Sequence, residues 1–583
     1  MIKSKLYNGK AVIRIKSGLC ETTEDVLSSQ FFREVVTSCI KELEKNKSPL
    51  LGIFNDRHNI SKKDIDLLIR SLRHLCKMPP KAVAAVVEGS DVFFQEPNLL
   101  ADFVHALYEF WISFERFTIC EAEGEIFDKR LSGQFNRAVD KLNQLIQKAY
   151  QDIEDNISSK YVRIHRQVIA GGQIAAVGMR RELPYPKLYQ ELNKIQIIRQ
   201  VLLYPPLVLD PSMNKRTGQF IRIDENPIKH CNIDPDQWLC YPAKVGPLFI
   251  NIYFHENFMD LGLSLCNLFE LASPQELKRK PDAVYLFGVP ENALDQLAPF
   301  PTVFYEDKEE GMMVAAVPKG KEFGYFGYLK KMVLTLHNII MMKKGKWPFH
   351  GALVRISLKS GKSATILLIG DTGAGKSEML EAFRVISEEE IQEMVIIADD
   401  MGSLVIDDSN GVLGYGTEIG AFLRLDDLQT GYAFGQMHRS IIMSAARINA
   451  RILLPVTDMS TVTKGQPIDF ILYCNNYENV DIDHPVMERF NDYKEALEVF
   501  EKGAVMSKGT TTSKGLVYNY FANIFGPVQY RELHDELAEK YFAAFFEKDI
   551  YVGQLRTRLG VSGWEFKGPE EAARELANAI RNL

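Results

Sequence analysis

Eight residues, Gly370-Asp371-Thr372-Gly373-Ala374-Gly375-Lys376-Ser377, constrain this chain more than any other stretch. They fit the pattern G-x-x-x-x-G-K-[ST]. The apolar run at 364–369 before them predicts a buried strand, and 378–385 after them predicts a helix, so the octet sits at a strand-to-helix turn. Glycines let a backbone wrap tightly enough to aim N–H groups at phosphate oxygens, and the helix N-terminus adds positive dipole. On this reading Gly370, Thr372, Gly373, Ala374, Gly375, Lys376 and Ser377 form a nucleotide-binding P-loop. Lys376 would reach the β- and γ-phosphates, and the Ser377 hydroxyl would ligate Mg²⁺. The next apolar run, Val395-Ile396-Ile397-Ala398, ends in Asp399-Asp400, and paired carboxylates at a strand end supply the oxygen ligands that Mg²⁺ or Mn²⁺ prefers.

The 583 residues correspond to two to four domains at about 150 residues each. Hydrophobic residues at 46% and charged residues at 25% are ordinary globular composition, which excludes disorder and coiled coil for the chain as a whole. Lys and Arg total 69 against 76 Asp and Glu, a net charge of −7. That balance favours neither a nucleic acid nor an anionic membrane as partner, and leaves a local basic pocket open. The most apolar long stretch, 99–120, carries Asp102, His105, Glu109 and Glu115, so it reads as a soluble helix, and no signal peptide is apparent. Eight cysteines without a C-x-x-C pair are too sparse for a disulfide scaffold and point to reduced thiols in a cytoplasm.

Residues 1–160 are expected to be mainly helical, with a short strand at 11–15 and helical periodicity in 25–45, 62–77, 97–118 and 134–153. Residues 161–320 carry short β-type runs at 248–254, 283–287 and 312–317 between Pro and Gly punctuators, a mixed α/β region. From 321 to 583 strands, glycine turns and helices alternate, an α/β or α+β body around the P-loop. Two features precede that loop. Lys330-Lys331 follow Gly324-Tyr325-Phe326-Gly327-Tyr328-Leu329 at the start of an apolar helix, where lysine is unfavourable unless it faces an anion. His350 stands in Phe349-His350-Gly351-Ala352, just ahead of the strands leading to the loop.

Together these pieces resemble the ATP-dependent phosphoenolpyruvate carboxykinases, whose core is shared with the HPr kinase/phosphorylases. The stretch 325–331 is similar to the family's Y-x-G-x-M-K-K, with Leu for Met, and 349–353 to its M-H-[CA]-S-A. The loop at 370–377 is similar to G-L-S-G-T-G-K-T, Ala398-Asp399-Asp400 to G-D-D, and Asn449-Ala450-Arg451 through Pro455 to N-T-R-x-x-Y-P. A Gly/Thr-rich segment at 506–515 resembles the family's lid, and Phe525-Gly526-Pro527, Tyr530 and ELHDELAEKYF resemble F-G-A-P…Y-A-x-L-L-A-E-K. The order holds from about 321 to 560. The loop sequence GDTGAGKSE is nearer the HPr kinase form, and T-G-R-S-P-K-D-K, which carries the carboxykinase substrate arginine, has no counterpart. Lys215-Arg216-Thr217-Gly218 is the nearest substitute, and an ordinary basic turn is the competing reading.

The resemblance implies a fold, a PEP-carboxykinase-like core behind a helical N-terminal region, and a site. Lys331, His350 and Asp400 would hold Mn²⁺, the lysine as a neutral amine with a lowered pKa. Ser377 and Asp399 would serve the Mg²⁺ of ATP. Lys376 and Arg451 would neutralise the transferring phosphoryl. Tyr325, Arg216, Thr372 and Arg451 would meet the substrate, and Lys514 the nucleotide. The implied reaction takes oxaloacetate and ATP to phosphoenolpyruvate, ADP and CO₂, through an enolate that the metal stabilises and the lid shields from water. A kinase on the same core acting on another small molecule or a protein hydroxyl remains the alternative, and a non-catalytic nucleotide-binding module the third reading.

Overall fold

The computed structural model describes residues 2–7, 9–16, 21–121, 129–157, 168–371, 373–408, 411–425, 428, 435–507 and 515–583. The chain is mixed α/β and separates into two compact units. One comprises Met1–Arg181 with Gln196–Leu207, the other Glu182–Ile195 with Val208–Leu583. The boundary expected at 160 falls within the span of the first unit, and that expected at 320 within the second.

The first unit is built on five strands. β1 (Ile2–Tyr7) runs antiparallel to β2 (Lys10–Lys16), beyond which lie the helices α1 (Gln30–Lys45), α2 (Lys62–Leu75) and α3 (Pro97–Ile112). β3 (Glu115–Glu121) lies parallel to β2. After α4 (Lys129–Ile157), β4 (Ile174–Met179) is parallel to β3, and β5 (Gln196–Leu203) is antiparallel to β4. Thr22, Ser29 and Ser61 accept backbone hydrogen bonds at helix N-termini, which satisfies donors no helix can pair internally. The core joins Ala11, Ile13 and Ile15 of β2 to the apolar faces of α1, α2, α3 and the later half of α4. Phe135 and Val139 of α4 pack with Ala175, Val177 and Met179 of β4.

The described residues of 1–160 are mainly helical, as expected, and the departure from the sequence reading falls at 97–118. The helix stops at Ile112, and Glu115–Glu121 forms strand β3, with Arg116 to Ile119 all buried. Arg116 is the physical reason for the stop. It is 2% exposed, and its guanidinium donates to the carbonyls of Trp111, Ile112 and Phe114 at the helix end and to Ile169 and Gly171 across the chain. One side chain thus caps a helix and fastens the segment entering β4. Replacing Arg116 by Leu strands these carbonyls without donors, and unfolding by denaturant is expected to show a loss of about 3 kcal/mol or more, with Arg116→Lys intermediate.

The second unit begins with β6 (Trp238–Val245) antiparallel to β7 (Leu248–His255), which is parallel to β8 (Ala283–Val289). β9 (Val303–Asp307) is antiparallel to β10 (Met312–Pro318), and β10 is parallel to β8. Helix α5 (Phe326–Lys343) follows, and of its 18 residues all but Lys331 and Lys343 are buried. β11 (Trp347–Leu358) pairs antiparallel with β12 (Ser363–Ile369), and the Gly370–Gly375 turn leads into α6 (Lys376–Glu390).

β11 changes partner along its length. Its first residues pair with β14 (Met401–Asp407), the rest with β13 (Ile391–Ala398). The exchange falls at His350-Gly351, opposite Asp399-Asp400, where the Gly351 amide donates to the Asp400 carbonyl at 2.9 Å. A Cβ on Gly351 would lie 2.3 Å from the Leu368 carbonyl oxygen, so only glycine lets the strands close there. β15 (Gly411–Gly416) extends the sheet beyond β14, and β16 (Gly420–Arg424) pairs separately with β17 (Arg451–Pro455). On the far side of β12 come β18 (Phe470–Asn475) and, after α7 (Arg531–Glu547), β19 (Tyr551–Arg556), both parallel. α6 and α8 (Lys567–Arg581) share one core with these strands, through Phe383, Leu576 and Ile580 against Val354, Ile366 and Leu472.

Candidate active site

At the partner exchange of β11 lies a cleft of about 960 Å³ including its open mouth, within the second unit. It collects Tyr325, Lys331, His350, Gly373, Lys376, Asp399, Asp400 and Arg451, all singled out from sequence. It adds residues that sequence reasoning had not assigned: Lys330, Asp371, Glu378, Phe422, Arg424, Asn523 and Phe525.

The turn after β12 has the backbone that its glycines permit. Gly373 and Gly375 take φ of 83° and 97°, and a Cβ on Gly375 would sit 2.6 Å from Thr557 Oγ1. Two side chains from other strands hold the turn. Asn476 Nδ2 donates to the Gly373 carbonyl at 2.8 Å, and the Thr557 hydroxyl to that of Ala374 at 2.7 Å. Lys376 Nζ folds back onto the Gly370 and Asp371 carbonyls, so its charge stays at the turn. Gly370 and Ala374 are buried in the turn rather than facing the cleft. Thr372, the Ser377 side chain, Lys514 and segment 508–514 lie outside the described residues.

Beneath the turn is a buried ionic group. Lys330, 2% exposed, places Nζ 2.8 Å from Asp400 Oδ2 and 3.2 Å from Glu418 Oε1. Burial alone would lower its pKa, but the two carboxylates outweigh burial and raise it. Burial acts against an ionised Asp400, yet Lys330 and His350 hold this carboxyl well below its ordinary range. Glu418 is the loser. It is wholly buried, no hydrogen-bond donor is aligned on either oxygen among the described residues, and burial with nearby Asp400 and Asp399 pushes it up to about 8. One ammonium between two acids ionises only the closer one. The anion expected opposite the paired lysines is, for Lys330, this carboxylate pair.

Lys331 points into the cleft, with Nζ 4.6 Å above the Phe525 ring. Burial, the charge of Arg216 and, more weakly, Arg451 bring its pKa down to about 8, against the pull of Asp400 and Asp371. His350, 5% exposed at its side chain, sets Nε2 2.9 Å from Asp400 Oδ1, and its Nδ1 donates to the Ala522 carbonyl. A carbonyl only accepts, so Nδ1 carries the hydrogen. In the neutral ring the Nε2 lone pair then faces a carboxylate oxygen, an arrangement that calls for a proton or a metal ion between them. Among the described residues no group of three His, Cys, Asp or Glu side chains is set to hold a metal.

β16 and β17 bring two arginines into direct cross-strand register, Arg424 opposite Arg451. Like charges directly opposite destabilise a strand pair, and both of these line the cleft. The Arg451 guanidinium lies 5.4 Å over the Phe422 ring, and its Nε has no hydrogen-bond partner among the described residues.

Arg216 does not line the cleft but is close enough for its charge to lower Lys331. Its loop is fastened on two sides. Thr217 N–H donates to the Tyr328 hydroxyl, which donates back to the Thr217 carbonyl, both at 2.9 Å. The Asn449 amide donates to the Asn214 carbonyl at 2.6 Å. The loop is thereby tied to the helix carrying Lys331 and to the segment entering β17.

No family model matches the chain, and no curated protein matches it. None of the described cysteines forms a disulfide, and no described helix is long and apolar enough to cross a membrane.

Glu418 carries a pH signature. Its folded pKa of about 8 exceeds the ordinary 4.5, so between these values the native state holds a proton that the unfolded chain has released. Stability contributed at this site therefore falls as pH rises through that window and levels off above it. Thermal melts from pH 5 to 8 are expected to show the decline in the parent and a flatter profile in Glu418→Gln, with the variant gaining on the order of 1–4 kcal/mol near pH 8.

Proposed function

We propose that the chain is a metal-dependent phosphotransferase of the ATP-dependent phosphoenolpyruvate carboxykinase type. One observation carries the reading: Lys331 with a pKa near 8, His350 and Asp400 meet in the cleft that also holds Lys376 and the Arg424/Arg451 pair. A lysine that is half deprotonated near pH 8, beside an imidazole with its tautomer set by a carbonyl, is a donor set suited to Mn²⁺. Such a cation, when bound, supplies Lewis-acid stabilisation of the negative charge that develops on decarboxylation.

The residues divide the remaining work. The glycine turn offers backbone N–H groups and Lys376 to the nucleotide phosphates, with Asp399 beside it as a ligand for nucleotide-bound Mg²⁺. Arg216, held at its place by Tyr328 and Asn449, takes a substrate carboxylate, and Tyr325 packs beside it. Loss of CO₂ leaves an enolate whose oxygen attacks the γ-phosphorus in line as the bond to the ADP oxygen breaks. Arg451 and Arg424 face the charge on the transferring group. Lys330 fixes Asp400 without entering the chemistry. The separation of Arg216 from the cleft wall is what favours the second reading, a kinase on the same core with another acceptor.

The decisive assay supplies phosphoenolpyruvate, ADP, bicarbonate, Mn²⁺ and Mg²⁺, with malate dehydrogenase and NADH. NADH oxidation is expected, and Arg451→Gln should lower kcat by about 10²–10³. Nucleotide binding without oxaloacetate overturns the carboxykinase reading in favour of another phosphoryl acceptor. The amine adds a second expectation. Mn²⁺ must displace a proton from Lys331, so apparent affinity should rise by up to about tenfold per pH unit below 8 and level off above it, a dependence that Lys331→Met abolishes.

A further inference from the structure

Phe521, Ala522 and Asn523 have φ of 42°, 57° and 64°, three consecutive non-glycine residues in the left-handed region. Such residues normally occur singly, and a run of them persists only where the surroundings over-determine it. Here they do. The Phe521 ring is 2% exposed, 4.7 Å from His534 and 5.8 Å from Trp347. Just before the run, Asn519 Nδ2 donates to Asp371 Oδ2 at 2.7 Å. Just after it, Asn338 Nδ2 donates to the Phe525 carbonyl at 2.8 Å.

The conformation delivers two contacts. The Ala522 carbonyl accepts from His350 Nδ1, and the Phe525 ring lies beneath the Lys331 amine, 5.7 Å from the His350 ring. Both proposed nitrogen ligands are therefore oriented by one short segment. Its local backbone preference opposes the shape it takes, and it is anchored at one end to the glycine turn through Asp371.

We propose that the left-handed turn Phe521–Asn523 is a positioning device: it holds His350 with the hydrogen on Nδ1 and seats Lys331 on Phe525, so that Nε2 and the amine are set for a divalent cation in advance. The cation part rests on the metal reading above. Partners that orient a metal-binding histidine are worth about 10–100-fold in metal affinity, which sets the scale of the test.

The test uses the full chain with Ala522→Gly, Ala522→Val and Asn523→Ala. Glycine adopts the turn freely and keeps the carbonyl, whereas a β-branched residue at this φ is a severe outlier and Ala at 523 a milder one. The readouts are ¹⁵N NMR of histidine ring nitrogens, with His350 assigned by comparison with His350→Gln, and Mn²⁺ titration followed by electron paramagnetic resonance. Parent and Ala522→Gly are expected to keep Nδ1 protonated and to bind Mn²⁺ alike. Ala522→Val is expected to shift the proton off Nδ1 and weaken Mn²⁺ at least about tenfold, with metal-free ADP binding unchanged, and Asn523→Ala to weaken Mn²⁺ by about threefold. A turn that serves stability alone would lower the melting temperature and move neither readout. Unchanged tautomer and unchanged Mn²⁺ affinity in folded Asn523→Ala and Ala522→Val overturn the proposal; if Ala522→Val does not fold, Asn523→Ala decides alone. A parent chain that binds no Mn²⁺ overturns the metal reading and the cation clause with it, and the ring nitrogens then decide separately whether the turn sets His350.

Discussion

The ion pair between Lys330 and Asp400 is the constraint on which the cleft depends. Its ammonium is withdrawn from water, and no exposed alternative exists for it once α5 is packed. Removing one partner of such a pair leaves a buried charge unanswered, which is far more destabilising than the pair is stabilising. The pair therefore dictates where the Asp399-Asp400 bend must sit relative to α5. Asp400 passes the constraint on, since its second oxygen faces His350. Glu418 comes to the same ammonium from the segment before β16, so the strand carrying Arg424 is located by it as well. Helix, bend and arginine strand are registered to a single nitrogen atom.

That registration explains why cations crowd a cleft in an acidic protein. The overall charge of −7 says nothing about local fields, because the acids that offset these cations are interleaved with them. The Asp400 carboxylate answers Lys330, and backbone carbonyls answer Lys376. Arg424 and Arg451 stand opposite each other in strand register on the same cleft.

What was legible from sequence, and what was not, follows from how far each signal travels along the chain. The glycine turn was legible because strand, glycines, lysine and helix lie within one short window whose backbone demands are local. Strand β3 was masked because 97–118 keeps apolar residues that satisfy a helical period up to Ile112, and nothing local marks Arg116 as the side chain that ends it. Lys330 stood beside Lys331 in the quoted motif, yet only packing separates the one that is paired from the one left at the cleft. Glu418 sits in Thr417-Glu418-Ile419-Gly420, which reads as a polar strand end, and its burial is visible only once α5 is in place. The left-handed run at 521–523 had no sequence signal beyond Asn523, since Phe and Ala are not residues that announce a positive φ.

α5 presents almost no side chain to water; the Tyr285 hydroxyl of β8 donates to its Tyr328 carbonyl, and its Asn338 donates to the Phe525 carbonyl. A rod embedded in this way cannot rotate or slide without opening the core on every side at once. It serves as a fixed datum. Any breathing of the cleft has to come from segments that reach it from outside, such as 444–451, which is joined to the Arg216 loop through a few hydrogen bonds. The wall carrying Lys330 and Lys331 is therefore stationary, and the entrance is the part whose geometry can be reset.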